Sequence, residues 1–118
     1  MDVSFISLRI VLPTIKTLLK PTGQVLCLIK PQFEAGKEKV GKKGVIREKS
    51  THKEVLDNFV NLARDLEFKI LGLTFSPVKG PEGNIEFLAH LRLNAAEGIQ
   101  PDTADVVDQA HAALDKGE

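Results

Sequence analysis

Three charged residues end or interrupt apolar stretches of this sequence, and they are Asp2, Lys30 and Glu86. The strand predicted over residues 25–29 is followed by Lys30 and then by Pro31, which cannot continue a ladder of hydrogen bonds. Lys30 is therefore predicted at the carboxyl end of a strand, the edge at which open α/β sheets bind ligands. An ammonium group held between carboxylates can hydrogen-bond a substrate hydroxyl. A structural role stays open for all three residues on pattern alone, because charged residues are common at strand ends.

The elements that position these residues alternate between strand and helix patterns. Pro13 lies inside the first helical pattern and marks either a kink or the start of that helix. A capping box of Thr51 and Glu54 predicts the start of the second helix. The last helix begins near Thr103, and its small apolar face predicts weak packing. The predicted order is strand (2–7), helix (8–19), strand (25–29), loop (31–49), helix (51–66), strand (68–75), strand (85–93) and helix (103–114).

This order of elements predicts an α/β fold with a mostly parallel sheet. The unbroken apolar run over residues 25–29 is typical of a strand that is buried on both faces. The first strand, helix and strand should form a right-handed parallel crossover. The last two strands, 68–75 and 85–93, should pair antiparallel across the loop between them, and the alternation of the second predicts one buried face.

Composition excludes several classes of function. The chain has 118 residues, no formal net charge and 42% apolar residues, as expected for a folded globular domain. The single cysteine, Cys27, cannot form an internal disulfide and is predicted to be a core residue. His52, His90 and His111 fall on separate predicted elements, so no metal site is expected. The sequence shows neither a leader peptide nor a span long enough to cross a bilayer, so a cytoplasmic location is expected.

Three ordered motifs, DVSFIS, LIKPQFEAG and GPEGNIEFL, carry a resemblance to a known family. Over residues 2–91 the chain resembles the TlyA-type, or hemolysin A, branch of the FtsJ-like ribosomal RNA ribose 2′-O-methyltransferases, which use S-adenosylmethionine. The resemblance implies the carboxyl half of a Rossmann-like sheet, mostly parallel with one antiparallel strand near its end and with helices packed on it. The last three members of the family's Lys-Asp-Lys-Glu catalytic set match Asp2, Lys30 and Glu86. By resemblance, Lys30 contacts the reacting hydroxyl and the two acids position it.

The sequence also departs from the family pattern. It contains no counterpart of the first catalytic lysine, no glycine-rich strand–turn–helix for the cofactor, no acidic residue for the cofactor ribose and no amino-terminal RNA-binding domain. The resemblance therefore implies that residues 1–93 are the carboxyl half of a methyltransferase domain and that residues 94–118 are a tail with a short helix. S-adenosylmethionine is expected in the complete enzyme, whereas the isolated chain is expected to bind it poorly or not at all and to be inactive.

The loop after Lys30 is the candidate surface for ribosomal RNA, the partner that the family implies. A phosphate backbone must pass over this edge, and basic side chains would bind it. A solvated loop is the alternative, because Glu34, Glu38 and Glu48 dilute the positive charge. The other class of function is a non-catalytic RNA- or protein-interaction module that folds or dimerises through an open sheet edge. The basic residues of the loop are Lys37, Lys39, Lys42, Lys43 and Arg47.

Overall fold

A computed structural model describes residues 8–20, 23–34, 45–80, 83–94 and 97–114. The strand predicted over residues 2–7, and with it the parallel crossover, lies outside the described residues. The strand predicted over residues 68–75 is found with the same bounds. The described elements are α1 (Leu8–Leu18), β1 (Gln24–Ile29), α2 (Pro31–Glu34), α3 (Lys49–Asp65), β2 (Phe68–Phe75), β3 (Phe87–Leu93) and α4 (Thr103–Leu114).

The three described strands form one sheet in the order β1-β3-β2, and both pairings are antiparallel. The predicted antiparallel hairpin of the last two strands is therefore confirmed, as is the α/β class. β1 and β2 run in the same direction, but β3 lies between them. The parallel pairs of the predicted sheet are consequently not confirmed among the described strands.

Helices cover one face of this sheet and build the core there. On β3 the residues Phe87, Ala89 and Leu91 are buried and alternate with half-buried ones, as the sequence predicted. They pack in one apolar cluster with residues from α1 and α3, such as Leu12 and Leu56. This alternation fixes which face of β3 points into the core.

The expectation that β1 is buried on both faces is wrong. Val25, Cys27 and Ile29 are buried, but Leu26 is 63% exposed and Leu28 only half-buried. The strand has the apolar composition of a doubly covered strand, yet the described helices cover only the face to which the buried residues point. An apolar run permits a strand to be buried on both faces, but it does not determine whether helices cover both faces.

Two helix starts also differ from their sequence patterns. Helix α3 begins at Lys49, with Glu48 as its N-cap and no side-chain capping bond, so the capping box of Thr51 and Glu54 is not formed. Thr51 instead lies on the buried face of the helix. In α1, Pro13 lies inside the helix and does not mark its start.

Helix α4 packs more closely than its small apolar face predicted. Val107, Ala110 and His111 are buried against the rest of the chain. At the amino end of the helix, the Thr103 hydroxyl donates a hydrogen bond of 2.6 Å to Asp57 Oδ1 on α3. The predicted division at residue 93 stays a prediction, although α4 shares a core with the elements before it.

Candidate active site

The pairing of β1 with β3 brings two of the three predicted site residues together. The paired residues end with Ile29 opposite Phe87. When this antiparallel register is continued by one residue, Lys30 lies opposite Glu86. Two residues that are far apart in the sequence thus lie opposite each other at one end of the sheet, which we call the rim. Asp2 lies outside the described residues.

Lys30 is held at the rim by the short turn that follows it. Its carbonyl accepts hydrogen bonds from the N–H groups of Phe33 (2.9 Å) and Glu34 (3.2 Å). Pro31 is well suited to the first position of this turn because its missing N–H would have no helical partner there. The half-buried Lys30 side chain places Nζ 6.0 Å from the centroid of the partly exposed Phe33 ring. Lys30 therefore lies between apolar surface and solvent, where a substrate could reach it.

Glu86 is a buried carboxylate, with only 5% of its surface exposed. Its Oε2 accepts a hydrogen bond of 3.1 Å from Gln32 Nε2, two residues after Lys30. Gly80 packs directly against the same carboxylate, since a Cβ at that position would lie 2.5 Å from Glu86 Cδ. An ion pair with Arg92 of the same strand would give Glu86 a purely structural role, but Arg92 lies opposite Gln24, toward the other end of β3.

The loop before β3 is folded so that it holds Glu86 in place. Gly80 N donates to Asn84 O (2.8 Å), and Gly83, with φ of 84°, donates back to Gly80 O (3.1 Å). Glycine adopts this left-handed conformation without steric cost. The buried Asn84 Oδ1 accepts a hydrogen bond of 2.9 Å from Ile46 N. This bond ties the loop to the segment that enters α3.

Both described flanks of the predicted RNA-binding loop lie beside the rim. On the amino-terminal side, Glu34 belongs to the turn that is bonded to Lys30. On the carboxyl-terminal side, Ile46 is bonded to Asn84, two residues before Glu86. Arg47 is exposed next to that contact. The other four basic residues of the loop lie outside the described residues and are Lys37, Lys39, Lys42 and Lys43.

Two histidines lie on separate elements, as predicted, but they meet in the core. His52 of α3 is fully buried, and its Nδ1 lies 2.7 Å from His111 Nε2 of α4. The second ring nitrogen, His52 Nε2, lies 3.1 Å from Ile46 O. Because a carbonyl only accepts, Nε2 of His52 carries its proton and Nδ1 accepts from His111 Nε2–H. The His52 ring also packs edge-on against Phe87, with 5.7 Å between centroids.

This histidine pair is a packing element and shows no metal-site geometry. Among the described residues, no group of three His, Cys, Asp or Glu side chains could hold a metal ion. His90 lies apart from the pair and from the rim, with Nε2 2.7 Å from Gln24 Oε1. Cys27 is buried on β1, and burial, with a smaller contribution from Glu34, raises the pKa of its thiol to about 12. The thiol is consequently protonated and unreactive at neutral pH.

The described residues do not form a cradle for the adenosyl part of S-adenosylmethionine. The turn from β1 into α2 reads Lys30-Pro31-Gln32 and lacks the glycines that let a backbone approach a nucleotide. The glycine-containing loop of residues 80–84 leads into β3 and not into a helix. The described rim therefore fits the acceptor side of a group-transfer reaction better than the cofactor side.

Gln32, Gly80 and the histidine pair belong to this region although the sequence did not single them out. Gln32 lies inside the LIKPQFEAG motif, and this position is the one sequence feature that could have indicated a role at the site. Gly80 stands in a turn-rich loop where a glycine has many ordinary explanations. His52 and His111 are 59 positions apart, and nothing in their local sequence indicates the contact.

Comparison with known proteins shows the class to which this rim belongs. The model of the FtsJ-like methyltransferase family matches residues 1–93. The chain belongs to that family.

Individual relatives agree with this class. The chain is 44% identical to a candidate rRNA methyltransferase, YqxC of Bacillus subtilis, over 96% of its own length. It is 32% identical to the 16S/23S rRNA (cytidine-2′-O)-methyltransferase TlyA of Mycobacterium tuberculosis over 98% of its length. A solved structure of a candidate hemolysin from Streptococcus thermophilus superposes with a TM-score of 0.88 at 47% identity, over 98% of this chain. The chain spans 42% of the length of each of these three proteins.

The hemolysin name of some relatives raises the question of membrane insertion. Within the described part of the chain, no helix is long and apolar enough to cross a bilayer.

Proposed function

We propose that this chain is the carboxyl half of an S-adenosylmethionine-dependent methyltransferase that modifies a ribose 2′-hydroxyl of ribosomal RNA. The observation that carries the proposal is the register of β1 with β3, which, continued by one residue, sets Lys30 opposite Glu86 at the rim. Family membership supports the reaction class. The names of YqxC and TlyA support ribosomal RNA as the substrate.

The chemistry follows from the weakness of a ribose hydroxyl as a nucleophile. Lys30 Nζ donates a hydrogen bond to the hydroxyl oxygen and stabilises the negative charge that develops there as the oxygen bonds to the methyl carbon and the hydroxyl proton is released to solvent. Glu86 orients that ammonium, and because Glu86 is buried beside Gly80 and bonded to Gln32, its own position is fixed. Asp2 is the proposed second orienting carboxylate. Positioning of this kind supplies much of the barrier reduction in a transfer from a good methyl donor.

The RNA partner is proposed to cross the rim along the basic loop. Both described flanks of the loop lie at the rim, and Arg47 is exposed there. Ribosomal RNA as substrate would place the protein in the cytoplasm. Dimerisation through an open sheet edge remains a separate proposal, which the elution volume of the purified chain tests: a monomeric volume at micromolar concentration would contradict it.

S-adenosylmethionine supplies the methyl group in the proposed reaction, and residues outside the described rim must hold it. We therefore expect the isolated chain to bind S-adenosylmethionine weakly or not at all and to be inactive. Isothermal titration of the isolated chain measures this directly. Micromolar binding would contradict the expectation and would show that these 118 residues form the cofactor site themselves.

Substitution of Lys30 tests the proposed reaction. In the complete enzyme, Lys30→Ala should lower the rate of RNA methylation by about two orders of magnitude or more, because it removes the group that stabilises the reacting oxygen. Cofactor affinity should stay within about twofold of the wild-type value. Lys53→Ala is the matched control, since Lys53 is exposed on α3 and pairs with Asp57 away from the rim. Near-normal methylation by Lys30→Ala would remove Lys30 from the mechanism.

The interaction-module alternative makes the opposite prediction. A complete protein that binds ribosomal RNA but transfers no methyl group with wild-type Lys30 in place would favour that alternative.

A further inference from the structure

The side-chain amide of Gln32 has a fixed orientation at the rim. Its nitrogen donates to Glu86 Oε2 at 3.1 Å. An ionised carboxylate only accepts hydrogen bonds, so the NH₂ group of the amide must face Glu86 and the carbonyl oxygen must point away. Gln32 therefore presents an acceptor, and not a donor, to whatever occupies the remaining side of the amide.

That acceptor has no partner among the described residues. Gln32 Oε1 is buried, yet no donor in the described part of the chain bonds to it. A buried polar atom without a partner destabilises the fold, so native proteins rarely keep one without a reason. Gln32 lies two residues after Lys30, and its amide is hydrogen-bonded to Glu86, the residue opposite Lys30 at the rim. A ligand that donates a hydrogen bond at the rim would satisfy the atom.

We propose that Gln32 is a specificity-determining residue whose Oε1 accepts the hydrogen bond of the ribose 2′-hydroxyl that is to be methylated. This inference rests on the proposed function and extends it. Within an RNA strand the 2′-hydroxyl is the one hydrogen-bond donor of each ribose, because the 3′ and 5′ oxygens are esterified, and it is what distinguishes RNA from DNA. An acceptor that cannot turn over to donate therefore selects a strand that carries this hydroxyl.

The same bond would orient the reacting group. With its hydrogen directed at Gln32 Oε1, the hydroxyl oxygen keeps its lone pairs for Lys30 Nζ and for the incoming methyl group. Gln32 is not a base in this arrangement, because an amide oxygen does not accept the proton outright. The proton is released to solvent as the hydroxyl oxygen bonds to the methyl carbon and the bond from that carbon to the donor sulfur breaks. Substrates that lack the hydroxyl leave Oε1 buried and unpaired, so the site rejects them more strongly than the loss of one exposed bond would suggest.

A purely structural role for Gln32 has to be separated from this one. If Gln32 only holds Glu86, its removal lowers turnover but leaves the preference for RNA over a deoxy analogue unchanged. The two roles are therefore resolved by changing the residue and the substrate together, as in a double-mutant cycle.

The experiment uses the complete enzyme and an RNA fragment that the wild-type enzyme methylates at one mapped nucleotide. Binding of this fragment is compared with binding of the same fragment carrying a single 2′-deoxy nucleotide at the target, at one fixed salt concentration. We expect the wild-type enzyme to bind the ribose form about tenfold more tightly. Gln32→Met keeps the length of the side chain and removes both hydrogen-bonding groups, and its preference should fall below about twofold.

Gln109→Met is the matched control. Gln109 also donates its amide to a carboxylate, Asp105 Oδ2 at 2.8 Å, but it is exposed on α4. This variant should retain the tenfold preference. If Gln32→Met does not fold, as judged by circular dichroism, Gln32→Asn replaces it, since it withdraws the same amide by one methylene group and should also lose the preference.

Three results would overturn the inference. A tenfold preference retained by the folded Gln32 variant, with a lowered turnover number, would show that Gln32 only supports Glu86. A wild-type enzyme that binds both fragments equally would show that no residue reads the target hydroxyl in the bound state. A wild-type enzyme that methylates no ribosomal RNA would remove the proposed function and this inference with it, whereas either of the first two results leaves the function standing.

Discussion

Gly80→Ala is a test of how tightly the rim holds Glu86. An added Cβ would lie 2.5 Å from Glu86 Cδ and 2.9 Å from Oε1, whereas ordinary contacts of this type begin at 3.4 Å. The carboxylate must therefore move by roughly 1 Å, or the loop must move by the same amount. A displacement of this size at a reacting centre costs about a hundredfold in rate. We expect Gly80→Ala in the complete enzyme to lower the methylation rate constant by about that factor.

Single-turnover methylation of ribosomal RNA measures this effect without interference from product release. Gly72→Ala is the control, because a Cβ there meets His90 Cβ at 3.9 Å, an ordinary contact. That variant should react within about twofold of the wild-type rate. Both variants should bind S-adenosylmethionine normally, since neither glycine lies in a cofactor cradle.

The decisive measurement repeats Gly80→Ala in a Glu86→Ala background. If the added methyl group acts by displacing the Glu86 side chain, it should have little further effect once that side chain is gone. An equal hundredfold loss in both backgrounds would refute the reasoning and would indicate that Gly80 matters for the loop itself. A wild-type rate for Gly80→Ala would show that Glu86 does not need its observed position.

Two further predictions concern the stability of the fold. Burial raises the pKa of the Cys27 thiol from 9.0 to about 12, so this thiol ionises in the unfolded chain first as the pH rises. The free energy of unfolding should therefore be unaffected below pH 9 and should fall above it, by up to about 1.4 kcal/mol per pH unit. Urea titrations at several pH values measure this dependence. Cys27→Ala should flatten this dependence, and an equally steep fall in that variant would assign it to another group. Asn84→Ala should lower the free energy of unfolding by about 1–3 kcal/mol, because it leaves the buried N–H of Ile46 without an acceptor. Asn58→Ala, at an exposed position of α3, is the control and should change the free energy of unfolding by less than about 0.5 kcal/mol; equal losses in the two variants would contradict the assignment.

The parts of the fold that follow from local pattern were predicted well. The alternation around β3 set its buried face, and two strands joined by a loop rich in Gly and Pro gave the antiparallel pair. The predictions that were wrong concern residues whose environment depends on contacts with other elements of the fold. Leu26 looks like a core residue in the sequence, but its exposure is decided by which layers cover β1. Thr51 has good capping chemistry, but a helix that begins two residues earlier places it on the buried face.

The candidate site shows the same limit. Lys30 and Glu86 could be selected as charges at strand ends, but only the register of β1 with β3 places them together. Gln32 and Gly80 act through contacts with Glu86 that span a loop, and such contacts leave no periodic trace in the sequence. Asp2 and four of the five basic residues proposed for RNA stay predictions, because they lie outside the described residues.

The contact between His52 and His111 has a consequence for where the functional unit ends. The family match stops at residue 93, but His111 on α4 lies beyond it and is hydrogen-bonded to His52. His52 in turn bonds to the carbonyl of Ile46, whose N–H bonds to Asn84 in the loop before Glu86. A chain that ended at residue 93 would lack α4 and His111, and the fully buried ring of His52 would be exposed to water. The last helix therefore supports the loop that holds Glu86 at the rim, and a chain that keeps only the matched region lacks this support.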